Sequence, residues 1–166
     1  TVGDSNGAFD FGWPQQMKKL LPYATVINRS ISGNTIGFDN LDRPQLNTLT
    51  NINQYLDEAY KELGANNELD YIFLDIGTND TKTIFKDRQK EVPANMDVLL
   101  KKINSYLKEH NKKLPQICVI TPSPMDEQKI DKVKYGGGDA RIQKNNKQFK
   151  KIANANRVDF LDSYIL

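Results

Sequence analysis

A run of mostly apolar residues, Tyr71-Ile72-Phe73-Leu74-Asp75-Ile76, is followed at once by Gly77-Thr78-Asn79-Asp80. A short apolar run bounded by turn residues is typical of a strand that is buried on both faces. Such strands belong to parallel sheets, because the helices that connect them cover both faces of the sheet. The stretch therefore predicts a central strand that ends in a polar loop, within an α/β fold.

Other short apolar runs predict the neighbouring strands, at residues 25–27, 117–121 and 158–161, with residues 1–2 as the end of one more strand. The segments between them carry apolar residues at helical spacing, in residues 13–21, 49–63, 96–107 and 142–153. This alternation predicts a single domain over residues 1–166. Its expected architecture is a three-layer α/β/α sandwich with a five-stranded parallel sheet, of flavodoxin-like type.

Composition narrows the class of protein further. Hydrophobic residues make up 38% of the chain and charged residues 27%, which is typical of a folded, globular domain. The 23 Lys and Arg against 21 Asp and Glu are scattered, so we expect no nucleic-acid partner. The apolar runs are too short to cross a membrane. The single cysteine, Cys118, excludes an internal disulfide and a cysteine-based metal cluster.

The first candidate for chemistry is Gly3-Asp4-Ser5, directly after the first predicted strand. Glycine permits a tight turn there, and the turn can present a serine hydroxyl at the mouth of the sheet. A serine hydroxyl becomes a nucleophile only when a base takes its proton. Taken alone, the tripeptide is also a common turn sequence.

Two further polar segments follow predicted strands in the same way. Gly33, in Asn28-Arg29-Ser30-Ile31-Ser32-Gly33-Asn34-Thr35, would let backbone N–H groups approach a ligand closely. Asn79 could donate a side-chain hydrogen bond to an oxyanion. Taken alone, the Gly33 segment is better explained as a plain turn, and the Asn79 segment is also compatible with a turn that caps the strand. Gly-Asp-Ser and Gly-x-Asn-Asp are each expected by chance only about 0.03 to 0.04 times in a chain of this length. Ligands of open α/β sheets bind outside the carboxyl ends of the strands, where all three segments are predicted to lie.

In their order along the chain, these segments resemble the conserved blocks of the SGNH or GDSL hydrolases, and the resemblance extends over essentially the whole chain. It implies that Ser5 is the nucleophile. It also implies an oxyanion hole formed by the N–H groups of Ser5 and Gly33 and the side-chain amide of Asn79. Asp4 and Asp80 would support the site, and neither a metal nor an organic cofactor is required.

The fourth block of that family, Asp-x-x-His, is not found in the chain. The only histidine, His110, ends a predicted helix, where a structural role explains it. Asp159 and Asp162 are expected to serve in turns or caps, because neither has a histidine three residues later. We therefore expect the catalytic histidine and its aspartate beyond Leu166, and the start of the first strand before Thr1. Without that base, the 166 residues should be close to inactive.

The expected reaction is hydrolysis of a short acyl ester, with acetyl favoured, on a small molecule or a carbohydrate. The basis is a predicted loop rim of mixed polarity that suits a polar substrate, formed by Ile36, Phe38, Asn40, Asp42 and Arg43. Three alternatives stay open: a lysophospholipase or thioesterase, a non-catalytic glycan-binding or scaffold domain, and a nucleotide-binding domain that lacks a phosphate-binding signature. The sequence leaves the compartment open, with a periplasmic or secreted location preferred.

Overall fold

The computed structural model describes residues 1–64 and 67–165. The described residues form one parallel sheet of four strands in the order in which they occur along the chain. The strands are β1 (Val2–Gly3), β2 (Tyr71–Asp75), β3 (Gln116–Ile120) and β4 (Asp159–Leu161). In the register of the sheet, Leu74 of β2 lies between Val2 of β1 and Val119 of β3.

Helices connect these strands. They are α1 (Ser5–Ala8), α2 (Trp13–Leu20), α3 (Thr48–Leu63), α4 (Glu91–Glu109), α5 (Lys132–Tyr135) and α6 (Gly138–Asn156). Four 3₁₀ turns lie in the loops, at Asn40–Asp42, Pro44–Leu46, Asn79–Thr81 and Thr83–Arg88. Pro14 lies in the first turn of α2, where a missing backbone N–H costs no helical hydrogen bond, as the sequence predicts.

The helices cover both faces of the sheet. Buried Ile72 and Leu74 of β2 belong to the same apolar core as residues of α3, α4 and α6, and α4 packs against both other helices. Side chains alternate between the two faces of a strand, so Phe73 lies on the opposite face. There its ring meets Trp13 of α2 edge-on, with the ring centroids 6.1 Å apart. The predicted three-layer α/β/α architecture with a parallel sheet is confirmed.

The number of strands differs from the prediction, because the predicted strand at residues 25–27 is not among the four. The chain here pairs with β1 only from Ile27 onward. The Thr1 amino group donates to the Ile27 carbonyl oxygen at 2.7 Å, and the Ile31 N–H donates to the Gly3 oxygen at 3.1 Å. Since β1 is only two residues long, Thr25 and Val26 have no described strand beside them with which to pair. Residues 25–27 are therefore an extended segment at the edge of the sheet rather than a fifth strand.

This topology brings several loops to one edge of the sheet. All four strands are parallel, so their carboxyl ends lie on the same side. The loops that follow β1 and β2 begin there, and the segment paired with β1 leads into residues 28–34 at the same edge. None of the helices in residues 1–64 and 67–165 is long and apolar enough to cross a membrane.

Candidate active site

Ser5 lies at the turn that follows β1. The chain packs closely there, since a Cβ atom at Gly3 would lie only 2.7 Å from the Asp75 carbonyl oxygen, so glycine is needed. The carboxylate of buried Asp4 accepts a hydrogen bond from the Asn6 N–H at 3.0 Å and so caps α1. Ser5 is the first residue of this short helix and is half-buried. The turn thus holds the serine on a fixed backbone.

Gly33 occupies the loop beside this turn. Its φ angle of +92° lies in a region that other residues rarely adopt, which explains why the loop requires glycine. The turn is closed by the Asn34 N–H, which donates to the Ile31 carbonyl oxygen at 3.0 Å. The carbonyl oxygen of the same peptide group, that of Gly33, accepts a hydrogen bond from the buried Asn40 side-chain amide at 2.6 Å. Both hydrogen bonds act on the peptide group between Gly33 and Asn34, which therefore has a defined orientation.

Asn34 connects the three loops in which the sequence predicts site residues. Its fully buried side-chain amide donates to the Gly3 carbonyl oxygen at 3.3 Å. Its own carbonyl oxygen accepts a hydrogen bond from the Asn79 side-chain amide at 2.9 Å. The loops that carry Ser5, Gly33 and Asn79 are therefore joined through a single residue. Sequence reasoning did not single out Asn34, although it directly follows the glycine of the second segment.

Three hydrogen-bond donors remain available at this place. Within residues 1–64 and 67–165, neither the Ser5 N–H nor the Gly33 N–H donates a hydrogen bond to another protein group. The Asn79 amide nitrogen carries two hydrogens, and its hydrogen bond to Asn34 uses one of them. Unpaired donors in a partly buried site are what an oxyanion hole requires.

Asp80 fastens the second loop to the third. It is completely buried, and both of its carboxylate oxygens accept from the Ile36 N–H, at 3.0 and 2.9 Å. Burial raises the pKa of Asp80 to about 7, although its backbone hydrogen bonds favour the ionised form. Asp80, which the sequence predicts to support the site, thus holds the loop of Ile36 against the loop that follows β2.

A second buried carboxyl, that of Asp75, lies at the end of β2. Removal from water raises its pKa to about 7, and the neighbouring Asp4 contributes to this shift. The pKa of Asp4 is also raised, again mainly by burial. Burial is the main cause of the raised pKa of both carboxyls, because an ionised carboxyl is costly in a poorly hydrated environment.

The rim predicted for the loop of residues 33–48 is wrong in part. Ile36, Phe38 and Asn40 are buried, because the loop turns them inward, towards the core or the Gly33 turn. Only Asp42 and Arg43 of the five predicted rim residues are exposed. The accessible part of the predicted rim is therefore polar and charged.

The remaining candidate residues, His110, Asp159 and Asp162, make hydrogen bonds within the fold, as expected for the structural roles that the sequence predicts. His110 ends α4, and its Nδ1 lies 2.8 Å from the Tyr106 carbonyl oxygen. Because α4 leads into β3, this end of the helix is at the amino edge of the sheet, opposite to Ser5. Asp162 accepts hydrogen bonds from Thr121 and from the Tyr164 N–H in a turn after β4. Asp159 accepts a hydrogen bond from Gln116 of the neighbouring strand.

Two residues near Asn79 carry no signal in the sequence. Tyr135, the last residue of α5, donates its phenolic hydrogen to the Asn79 Oδ1 at 2.9 Å. Lys82 donates to the Asn40 Oδ1 at 3.0 Å and lies 5.8 Å from the centre of the Tyr135 ring. Tyr135 is 56 residues from Asn79 along the chain, in a long loop of low hydrophobicity. Only the folded structure reveals that they meet.

The buried Asp75 carboxyl predicts a pH-dependent stability. Its pKa is about 7 in the native state and about 4 when unfolded, so the native state binds an extra proton between these values. Stability should therefore fall as pH rises from about 4 to 7, with a slope of at most ~1.4 kcal/mol per pH unit for this one group. Asp75→Asn should reduce this loss and be more stable than the wild type at pH 8, as measured by urea unfolding.

The matched control is Asp87→Asn, which makes the same chemical change at an exposed position. This variant should retain the pH dependence of the wild type. If Asp75→Asn and the wild type lost stability in parallel between pH 4 and 8, the assignment of a raised pKa to Asp75 would be wrong.

Comparisons with known proteins agree with this description of the fold. The carbohydrate acetylesterase Est24 from Sinorhizobium meliloti is 20% identical, with a TM-score of 0.77 over 99% of this chain and 84% of that chain. The native aryl esterase of M. smegmatis is also 20% identical, with a TM-score of 0.82 over 99% of this chain and 83% of that chain. At this level of identity the likeness shows the fold alone. No curated protein matches the chain by sequence.

The family is shown by the sequence itself. Residues 1–165 match the GDSL-like lipase/acylhydrolase family, a match that includes every segment of the site described above. The chain therefore belongs to the GDSL-like lipase/acylhydrolase family and is an ester hydrolase of that family.

Proposed function

We propose that the protein is a serine esterase in which Ser5 is the nucleophile and short acyl esters are the substrates. One observation carries the proposal, namely that Asn34 joins the loops of Ser5, Gly33 and Asn79 through hydrogen bonds of 3.3 and 2.9 Å. These hydrogen bonds support the proposal, because they join the loop of a serine to loops that carry free hydrogen-bond donors. This combination is what acyl transfer requires.

In the proposed reaction, the Ser5 hydroxyl oxygen attacks the ester carbonyl carbon while a base accepts its proton. The carbonyl oxygen becomes an oxyanion, which accepts hydrogen bonds from the Ser5 and Gly33 N–H groups and from the Asn79 amide. Collapse of this intermediate breaks the ester C–O bond, and the alcohol leaves with the proton from the base. Water then attacks the acyl-enzyme by the same route and releases the acid.

The base must be a group other than His110, because that residue lies at the opposite edge of the sheet. The resemblance to the SGNH hydrolases implies a histidine that is oriented by an aspartate three residues before it. We place this pair after Leu166, a residue that itself lies outside the described part of the chain. Asp162 already turns the chain at the carboxyl end of β4, the edge where Ser5 lies.

Two features support a short acyl group. A cavity of about 1260 Å³ is lined by residues such as Met17, Ile27 and Tyr71, which places it at the amino edge of the sheet, away from Ser5. It is therefore not a channel for the acyl chain, in spite of its size. The exposed part of the predicted rim, at Asp42 and Arg43, is charged and suits a polar alcohol such as a sugar. The similarity to a carbohydrate acetylesterase agrees with this proposal.

The roles of Ser5 and Asn79 can be tested by measuring hydrolysis of nitrophenyl acetate with the full-length protein. Ser5→Ala should lower kcat at least about a thousandfold, because no nucleophile remains. Asn79→Ala should lower kcat about 100- to 1000-fold with little change in KM, because its hydrogen bond strengthens only in the transition state.

Ser123→Ala is the control, since Ser123 is exposed in the loop that follows β3 and has no assigned role. It should retain the wild-type kcat. Turnover by Ser5→Ala at the wild-type rate would refute the proposed nucleophile, and a wild-type protein without esterase activity would favour a binding or scaffold function.

The acyl preference can be tested with nitrophenyl esters of increasing chain length. We expect kcat/KM to be highest for acetyl and to fall as the acyl chain lengthens, because the large cavity lies at the opposite edge of the sheet from Ser5 and the exposed rim at Asp42 and Arg43 is charged. A maximum at eight carbons or more would contradict the short-acyl proposal and favour the lysophospholipase or thioesterase alternative.

A further inference from the structure

We propose that Tyr135 is a positioning residue that fixes the orientation of the Asn79 side-chain amide in the oxyanion hole. This inference rests on the proposed esterase function and adds to it a residue outside the three segments that define the site. The observation that carries it is the hydrogen bond from the Tyr135 phenol to the Asn79 Oδ1, at 2.9 Å.

The orientation of an asparagine amide matters because its two ends have nearly the same shape but opposite hydrogen-bonding roles. Only the nitrogen end can stabilise an oxyanion. In the observed orientation, the Asn79 nitrogen donates to the Asn34 carbonyl oxygen, and the Asn79 oxygen accepts from Tyr135. Two hydrogen bonds therefore hold the amide, one at each end, and the second N–H hydrogen stays free for a ligand.

The Tyr135 hydroxyl is suited to this task. A rotated Asn79 amide would bring its oxygen against the Asn34 carbonyl oxygen, and the phenol favours the productive orientation further by donating to Oδ1. Burial raises the pKa of Tyr135, and the neighbouring Asp4 and Asp131 act in the same direction, so the phenol keeps its proton. Donation to the amide oxygen also polarises the amide and makes its N–H a stronger donor.

The surrounding residues hold Tyr135 in place. The Arg141 side chain of α6 donates to the Gly136 carbonyl oxygen at 2.7 Å and to the Thr81 carbonyl oxygen at 2.8 Å. It therefore connects the residue after Tyr135 to the 3₁₀ turn that begins with Asn79. The Lys82 ammonium group lies 5.8 Å from the centre of the Tyr135 ring, within the range of a cation–π contact.

Tyr135→Phe tests this inference, because it removes the hydroxyl and keeps the ring. We expect kcat for nitrophenyl acetate to fall about 3- to 10-fold with KM unchanged, as for the loss of one hydrogen bond that acts in the transition state. In an Asn79→Ala background the same substitution should have no further effect, because no amide remains to be oriented. A merely structural role of Tyr135 would not produce this dependence on Asn79.

Tyr106→Phe is the matched control. Tyr106 donates its phenolic hydrogen to Asp57 at 2.5 Å, far from Ser5, so this variant also loses a tyrosine hydrogen bond but should keep the wild-type kcat. Thermal unfolding of all variants shows whether the tyrosine variants retain their fold, and Tyr135→Phe should remain folded at the assay temperature.

The outcomes separate this inference from the function on which it rests. A wild-type protein without Ser5-dependent turnover would overturn both. Ser5-dependent turnover with an unchanged kcat in Tyr135→Phe, a loss that appears only in KM, or an equal loss in the Asn79→Ala background would each overturn the role of Tyr135 alone.

Discussion

The site depends on the two hydrogen bonds that Asn34 makes with neighbouring loops. Its side-chain amide binds the Gly3 carbonyl oxygen, and its own carbonyl oxygen binds the Asn79 amide. Because the carboxyl ends of parallel strands meet at one edge, the fold brings the loops near each other, but it does not fix their relative orientation. Asn34 supplies that orientation. The residue is fully buried, so its hydrogen bonds are protected from competition with water.

Three carboxyl groups are buried at the same edge of the sheet. Asp4, Asp75 and Asp80 are all buried close together, and burial raises the pKa of each. Such groups reduce stability unless they are well hydrogen-bonded. Asp4 caps α1 and Asp80 binds the Ile36 N–H, so two of the three maintain loop geometry directly. Proteins tolerate local costs of this kind at functional sites, where a defined arrangement matters more than maximal stability.

Much of the fold could be predicted because its signals are local. The apolar run that forms β2 and the apolar stripes of α3, α4 and α6 can be read within one element, and the structure confirms them. The predicted strand at residues 25–27 depends on a partner, and the short β1 offers pairing only from Ile27 onward. For the site, Ser5 and Asn79 follow strands and Gly33 follows the extended segment beside β1, all three in recognisable motifs. Asn34 and Tyr135 are defined by contacts with distant residues, and Ile36 and Phe38 are buried by the path of their loop.

The central claim is that Ser5 is an activated nucleophile, and covalent labelling tests it most directly. A fluorophosphonate forms a P–O bond with an activated serine and releases fluoride, whereas ordinary surface serines do not react. After treatment of the full-length protein, peptide mass spectrometry should find one adduct, on Ser5. It should also find no adduct in the Ser5→Ala variant. Labelling of a different serine, or an unmodified Ser5 in a protein that hydrolyses esters, would contradict the account.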